Sequence, residues 1–131
     1  MQAMKIGDTF NYSFSFTQEE VNLFAQVTGD NNPIHLDEEK AAQSIFRRRI
    51  IHGFLGGSVF SKVFGTMWPG YGTIYMEQDL QFKRPMVVDH TYTAAFEVLE
   101  ILPKNKAIIA TQVLDENQKL VIDGKAEIIY P

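Results

Sequence analysis

"HGFLGGSVFSKVFGTMWPG", residues 52–70, is the stretch that decides the fold. Its apolar residues fall on nearly every face of a 3.6-residue helix, and its polar ones are mostly small. A helix that is hydrophobic all round is normally buried. The pattern predicts a helix from Gly53 to Trp68, stopped by Pro69 and Gly70. Glycines at 56, 57 and 65 lower its intrinsic propensity by roughly 1 kcal/mol each. Close approach to a sheet is the expected gain.

Beyond this helix the period changes to two and stays there. "TIYMEQDLQFKR", "HTYTAAFEVLEIL", "KAIIATQVLD" and "KLVIDGKAEIIY" are four strand-like runs. Ile74, Met76, Leu80 and Phe82 share one face of the first, and Ile109, Thr111 and Val113 one face of the third. "RPMVVDH", "PKN" and "DENQ" join the runs, and connections this short imply antiparallel pairing. Before the helix, "FNYSFSF" (Phe10 to Phe16) alternates as a further short strand. "TQEE" then offers Thr17 and Glu20 as a capping box, with Phe16 and Val21 placed as a hydrophobic staple. That helix runs to about Thr28, with Gly29 as its C′ residue, and Asp37 is the expected N-cap of a second short helix in "DEEKAAQSIF". The order of elements is α+β: about five antiparallel strands curled around one long helix, in a single domain over residues 1–131.

Composition narrows the function classes. The chain is 45% hydrophobic and 21% charged, as expected of a globular protein. A net charge of −4 gives no electrostatic footprint for nucleic acid. With no cysteine, disulfides, thiolate nucleophiles and cysteine metal sites are excluded together. The start shows no continuous apolar segment of the secretory kind, and His52, Ser58, Ser61 and Lys62 interrupt the longest apolar zone, so no membrane partner is expected. A cytoplasmic location is the working expectation.

"TGDNNPIH", residues 28–35, sits between the first two helices. Gly, Asn and Pro suffice for a turn, yet the stretch also carries an acid, Asp30, and a base, His35. Fully extended, the chain would hold them roughly 16 Å apart, and Pro33 disfavours a continuous helix through Asn32. Only a tight turn brings both side chains to one point. Asp30 as a simple amide cap and His35 as a satisfied histidine is the bland alternative. Metal binding by Asp30, His35 and His52 is another, but nothing else in the chain supports it.

"VTGDNNPIHLDEEKAA" closely resembles the signature of the MaoC-like (R)-specific enoyl-CoA hydratases, which have a hot-dog fold. Gly29, Asp30, Asn32, Pro33 and His35 match that family's G-D-x-N-P-x-H. "IIHGFL" resembles its I-x-H-G-M-L segment, with Phe54 where Met is common, and "GTIYMEQDLQFKRPMVVDHTYTA" looks like the following strand-turn-strand region. The resemblance spans nearly the whole chain. It departs at "FRRRIIHG", where Arg47, Arg48 and Arg49 replace the more usual Gly or Pro. They read as a solvated loop or as contacts to coenzyme A phosphates.

The resemblance implies reversible hydration of a trans-2-enoyl thioester of coenzyme A, or of acyl carrier protein, to the (R)-3-hydroxyacyl thioester. It implies no cofactor, no metal, and at least a homodimer with the acyl tunnel between subunits. Asp30 and His35 become the catalytic pair, sharing one water; His35 can accept a proton, and Asp30, if buried, can deliver or receive the other. Asn32 orients the water or locks the turn. Gly53 offers its N–H to the thioester oxygen at a helix N-terminus, with no Cβ to block approach. Ser61 aligns with a position near the substrate, and Ser58 and Ser61 could equally be small core residues. His52 reads as structural, and His90 as a turn residue without special role. Two rivals remain. A hot-dog thioesterase usually carries an acid on the central helix, and residues 53–68 hold no Asp or Glu. A non-catalytic acyl-CoA-binding module would not need Asp30, Asn32 and His35.

Overall fold

The computed structural model describes residues 3–131. β1 (Thr9–Phe14) leads into α1 (Gln18–Thr28), then α2 (Pro33–Leu36), α3 (Glu38–Ala42) and the long α4 (Gly53–Thr66). β2 (Ile74–Gln78), β3 (Gln81–Phe82), β4 (Tyr92–Leu102), β5 (Lys106–Leu114) and β6 (Leu120–Ile129) follow. All pairings are antiparallel, in the order β1-β4-β5-β6-β2, with β3 on β6. The architecture is the α+β hot-dog arrangement expected, with six strands in the sheet where about five were predicted. No described helix is long and apolar enough to cross a membrane.

The extra strand comes from the first predicted run. A bulge between Tyr75 and Glu77 shifts the register, and the chain then breaks at Asp79, whose N–H donates to the Lys125 carbonyl and whose Oδ1 accepts from the Lys125 amide at 3.1 Å. The close approach requires glycine opposite, because a Cβ at Gly124 would lie 2.1 Å from the Asp79 carbonyl oxygen. The face expected to be apolar also divides. Ile74, Met76 and Phe82 are about half exposed in the protomer, whereas Tyr75 turns inward. Ile109, Thr111 and Val113 are fully buried, as their alternation requires.

The local signals at α1 act as read. Thr17 Oγ1 accepts from the Glu20 amide at 3.1 Å and Glu20 Oε1 accepts from the Thr17 amide at 2.9 Å, while Gly29 ends the helix with φ 79°. Asp37 caps the second helix, which is shorter than its sequence suggested. α4 ends at Thr66 rather than Trp68, because the Met67 and Trp68 amides both turn back to the Val63 carbonyl. Its core face carries Leu55, Val59, Phe60, Val63 and Phe64. The Phe60 and Phe64 rings meet Phe96 of β4 edge-on at 5.6 and 5.3 Å, and Phe64 meets Tyr75 at 5.3 Å. A Cβ at Gly56 would fall 2.6 Å from Met86 Sδ and 3.2 Å from Ile122 Cδ1, so close approach is its use. Ser58 and Ser61 are exposed in the protomer and are not core residues.

Phe60 is fully buried at the centre of this aromatic contact. Phe60→Ala should therefore cost about 3–5 kcal/mol of stability, read as a lowered denaturant midpoint with an unchanged slope.

Candidate active site

The turn between α1 and α2 is built from its own side chains. Thr28 Oγ1 accepts from the Asp30 amide at 3.1 Å, and Asn32 Oδ1 accepts from the Ile34 amide at 3.1 Å as the N-cap of α2. Pro33 stands at the first helical position, where its missing N–H costs nothing. Of the two roles open to Asn32, locking the turn is the one its hydrogen bond performs. One helical turn later, His35 points back toward Asp30.

His35 is largely buried and its Nδ1 lies 2.8 Å from the Ile50 carbonyl oxygen. A carbonyl only accepts, so Nδ1 carries the hydrogen and Nε2 keeps a free lone pair. Gln18 Nε2 donates to the His35 carbonyl at 2.9 Å, tying α2 to α1. Burial lowers the His35 pKa below its ordinary value, opposed by the bond to Ile50; His52 lowers it further and the Asp30 charge raises it. Asp30 itself is exposed in the protomer, in contrast to the burial considered for it. Its Oδ1 has one long contact, 3.4 Å from the Asn32 amide.

His52, expected to be structural, joins the same cluster. Its ring stacks on His35 with centroids 3.8 Å apart, and Nε2 donates to the Asp30 carbonyl at 2.9 Å. One ligand-type atom from each of Asp30, His35 and His52 lies within 4.8 Å of the others. The stack is unsuited to a metal ion, however. Imidazole lone pairs lie in the ring plane, and two rings inclined by only 25° at that spacing offer no point roughly 2.0–2.1 Å from both nitrogens along both planes. The arrangement is suited instead to hydrogen-bonding one small molecule between the His35 Nε2 and the Asp30 carboxylate.

Gly53 follows at the start of α4. The Leu55 and Gly56 amides donate to the His52 carbonyl, leaving the Gly53 N–H without a partner among the described residues. A Cβ on Gly53 would meet the Phe82 ring at 2.7 Å. The open space at Gly53 therefore serves Phe82 in this protomer rather than keeping an approach clear directly. Beside it lies a cavity of about 300 Å³ lined by Ile50, Ile51, Gly53, Phe54, Phe82 and Met86, with Lys83 and Arg84 in its wall. Asp30 and His35 do not line it, whereas Gly53 does. Ser61 is not brought to the dyad: it stands eight residues along α4, about 12 Å down the axis. Arg47 and Arg48 are exposed and Arg49 is half-buried, and the one ion pair among the described residues is His90 with Glu116 at 3.4 Å.

A MaoC like domain matches residues 3–119. The chain belongs to this family. The MaoC-like chain is 34% identical to an (R)-specific enoyl-CoA hydratase of Rhodospirillum rubrum, over 98% of this chain and 89% of that one. Among solved structures it is similar to an (R)-hydratase from A. caviae involved in PHA biosynthesis (36% identity, TM-score 0.95, all of both chains covered). An unliganded R-hydratase from Pseudomonas aeruginosa is 43% identical with a TM-score of 0.93, covering 98% of this chain and 83% of that one.

The lowered His35 pKa fixes a pH dependence. The unfolded chain binds this proton more readily than the folded one, so the stability tied to neutral His35 is complete above about 6.5. It is lost as pH falls from there through the folded value. Denaturant midpoints measured against pH should show this acid loss, reduced in His35→Gln.

Proposed function

We propose that this MaoC-like protein is an (R)-specific enoyl-CoA hydratase, a hydro-lyase that reversibly adds water to a trans-2-enoyl thioester. The carrying observation is His35: its Nδ1–H is committed to the Ile50 carbonyl, which leaves Nε2 as the free base of a ring that has a nitrogen within 4.8 Å of an Asp30 carboxylate oxygen. Relatives named for this reaction support the reading.

Water sits between the Asp30 carboxylate and His35 Nε2. His35 takes one proton as the water oxygen bonds to the β-carbon, and Asp30 accepts a hydrogen bond from the O–H that stays on that oxygen and so orients the attack. The π electrons of the double bond move to the α-carbon and onto the thioester oxygen. That oxygen is held by the Gly53 N–H at the positive end of α4. The imidazolium then returns its proton to the α-carbon, which restores neutral His35 and completes the addition. Dehydration is the same path reversed.

The acyl group is assigned to the apolar surface around Gly53, and the carrier is coenzyme A, whose phosphates suit the exposed Lys83, Arg84, Arg47 and Arg48 and the half-buried Arg49 better than a neutral ligand would. Ser61, further along α4, is assigned to the acyl path. A homodimer belongs to the proposal, because Phe54, Ile74, Met76 and Phe82 are 47–69% exposed in the protomer, and exposed apolar patches mark association surfaces. A cytoplasmic location completes it.

Purified protein should hydrate crotonyl-CoA with loss of enoyl absorbance. Asp30→Asn and His35→Gln should each lower turnover by ~10²–10⁴-fold with melting temperatures near the parental value. Parental rates in either variant would remove the dyad assignment. Light scattering should give twice the protomer mass, and a fully active monomer would contradict the assembly.

A further inference from the structure

His52 is the buried polar residue that this mechanism leaves unused. Its side chain is 2% exposed. It occupies the N-cap position of α4 but gives the helix no side-chain cap. Phe24 of α1 closes one side of its ring at 4.8 Å, and His35 stacks on another. Nδ1 has no hydrogen-bond partner among the described residues. A buried polar atom in that state is destabilising, and an apolar ring would fill the same space without the cost. The imidazole must therefore contribute something that packing alone does not.

We propose that His52 is a positioning residue for the hydration reaction, its Nε2–H fixing the main chain of Asp30 and its ring holding the neighbouring base in place and uncharged. The inference rests on the functional reading above for its kinetic consequences, but not for its structural ones.

The first half follows from the hydrogen bonds of the turn. Residues 29–32 are otherwise held by partners within five positions in sequence: Ala25, Thr28, Gly29, Asp30, Ile34 and His35. The bond from His52 to the Asp30 carbonyl spans 22 positions. It is thus the one hydrogen bond, among the described residues, that references this turn to the core helix. Without it the Asp30 carboxylate would be positioned only by an exposed loop.

The second half follows from the stack. Two imidazolium rings at 3.8 Å repel, so a proton on one disfavours a proton on the other. The remaining surroundings of His35 are accounted for. Asp30 acts in the opposite sense. Its hydrogen-bond partners are uncharged: Gln18 of α1 donates to its main-chain carbonyl and the Ile50 carbonyl takes its Nδ1–H, while Phe24 borders the ring of His52.

Two variants separate the parts. His52→Phe keeps the ring and loses the donor; His52→Gln keeps an N–H near the Nε2 place and loses the ring. His52→Phe should lower kcat for crotonyl-CoA on the order of 10²-fold with KM near parental, and His52→Gln should recover most of that loss. In both, the acid limb of kcat/KM should move to higher pH, since His52 acts with burial to lower the His35 pKa. A His52→Phe enzyme with parental kcat and acid limb would overturn the proposal, as would a Gln variant no better than Phe. A third measurement needs neither variant nor turnover. In the unaltered protein, the two imidazole Cε1–H resonances should show mutual inflections on titration; independent curves would overturn the coupling. Absence of hydration by the parental protein would instead strike the proposed function, leaving that titration to judge His52.

Discussion

The burial of α4 against the sheet is the contact on which the other features rest. Phe60 and Phe64 lock edge-on into Phe96, and Val59 and Val63 on the same helix are almost fully covered. Burying each such side chain contributes about 1.5–3 kcal/mol, which outweighs the propensity lost at the helix glycines. This fixes the axis of α4, and with it the direction of the unpaired amide at its first residue. The turn carrying Asp30 and His35 then has to be brought to that end. Its hydrogen bonds do so by fastening to main-chain carbonyls: His35 to Ile50, His52 to Asp30, and Gln18 to His35.

What could be read from the sequence was local or strictly periodic. Thr17 with Glu20, Gly29 after α1, and the alternation of Ile109, Thr111 and Val113 each carry their physics within a few residues. The elements that escaped reading depend on distant partners. β2 and β3 part company at Asp79 because Lys125 and Gly124, more than forty positions later, hold that backbone. α2 has only four residues, too few to show a period, and the stretch was read as a turn.

The candidate site divides the same way. Asp30 and His35 could be paired from the turn composition and from the resemblance to a family signature. The place of His52 could not, because its stack on His35 and its bond to Asp30 join segments 17 and 22 positions apart, a separation no periodicity reports. The available hint was its position, immediately before a buried helix. Asp30 was considered as a buried acid, yet it lies exposed on its turn. That Gly53 lacks a Cβ to make room for the Phe82 ring was likewise invisible, since Phe82 arrives from β3.

Ile50 has two separable duties. Its side chain lines the cavity beside Gly53, while its carbonyl takes the His35 Nδ1–H and its amide donates to the Ile34 carbonyl at 3.2 Å. Every residue type brings the carbonyl, and every one but proline brings the amide. Position 50 can therefore vary in bulk and shape without altering which ring nitrogen of His35 is free. Under the proposed function, ligand preference and proton chemistry are uncoupled at this residue, which makes it a point where the chain can drift toward new acyl groups while the proposed acid–base pair stays intact.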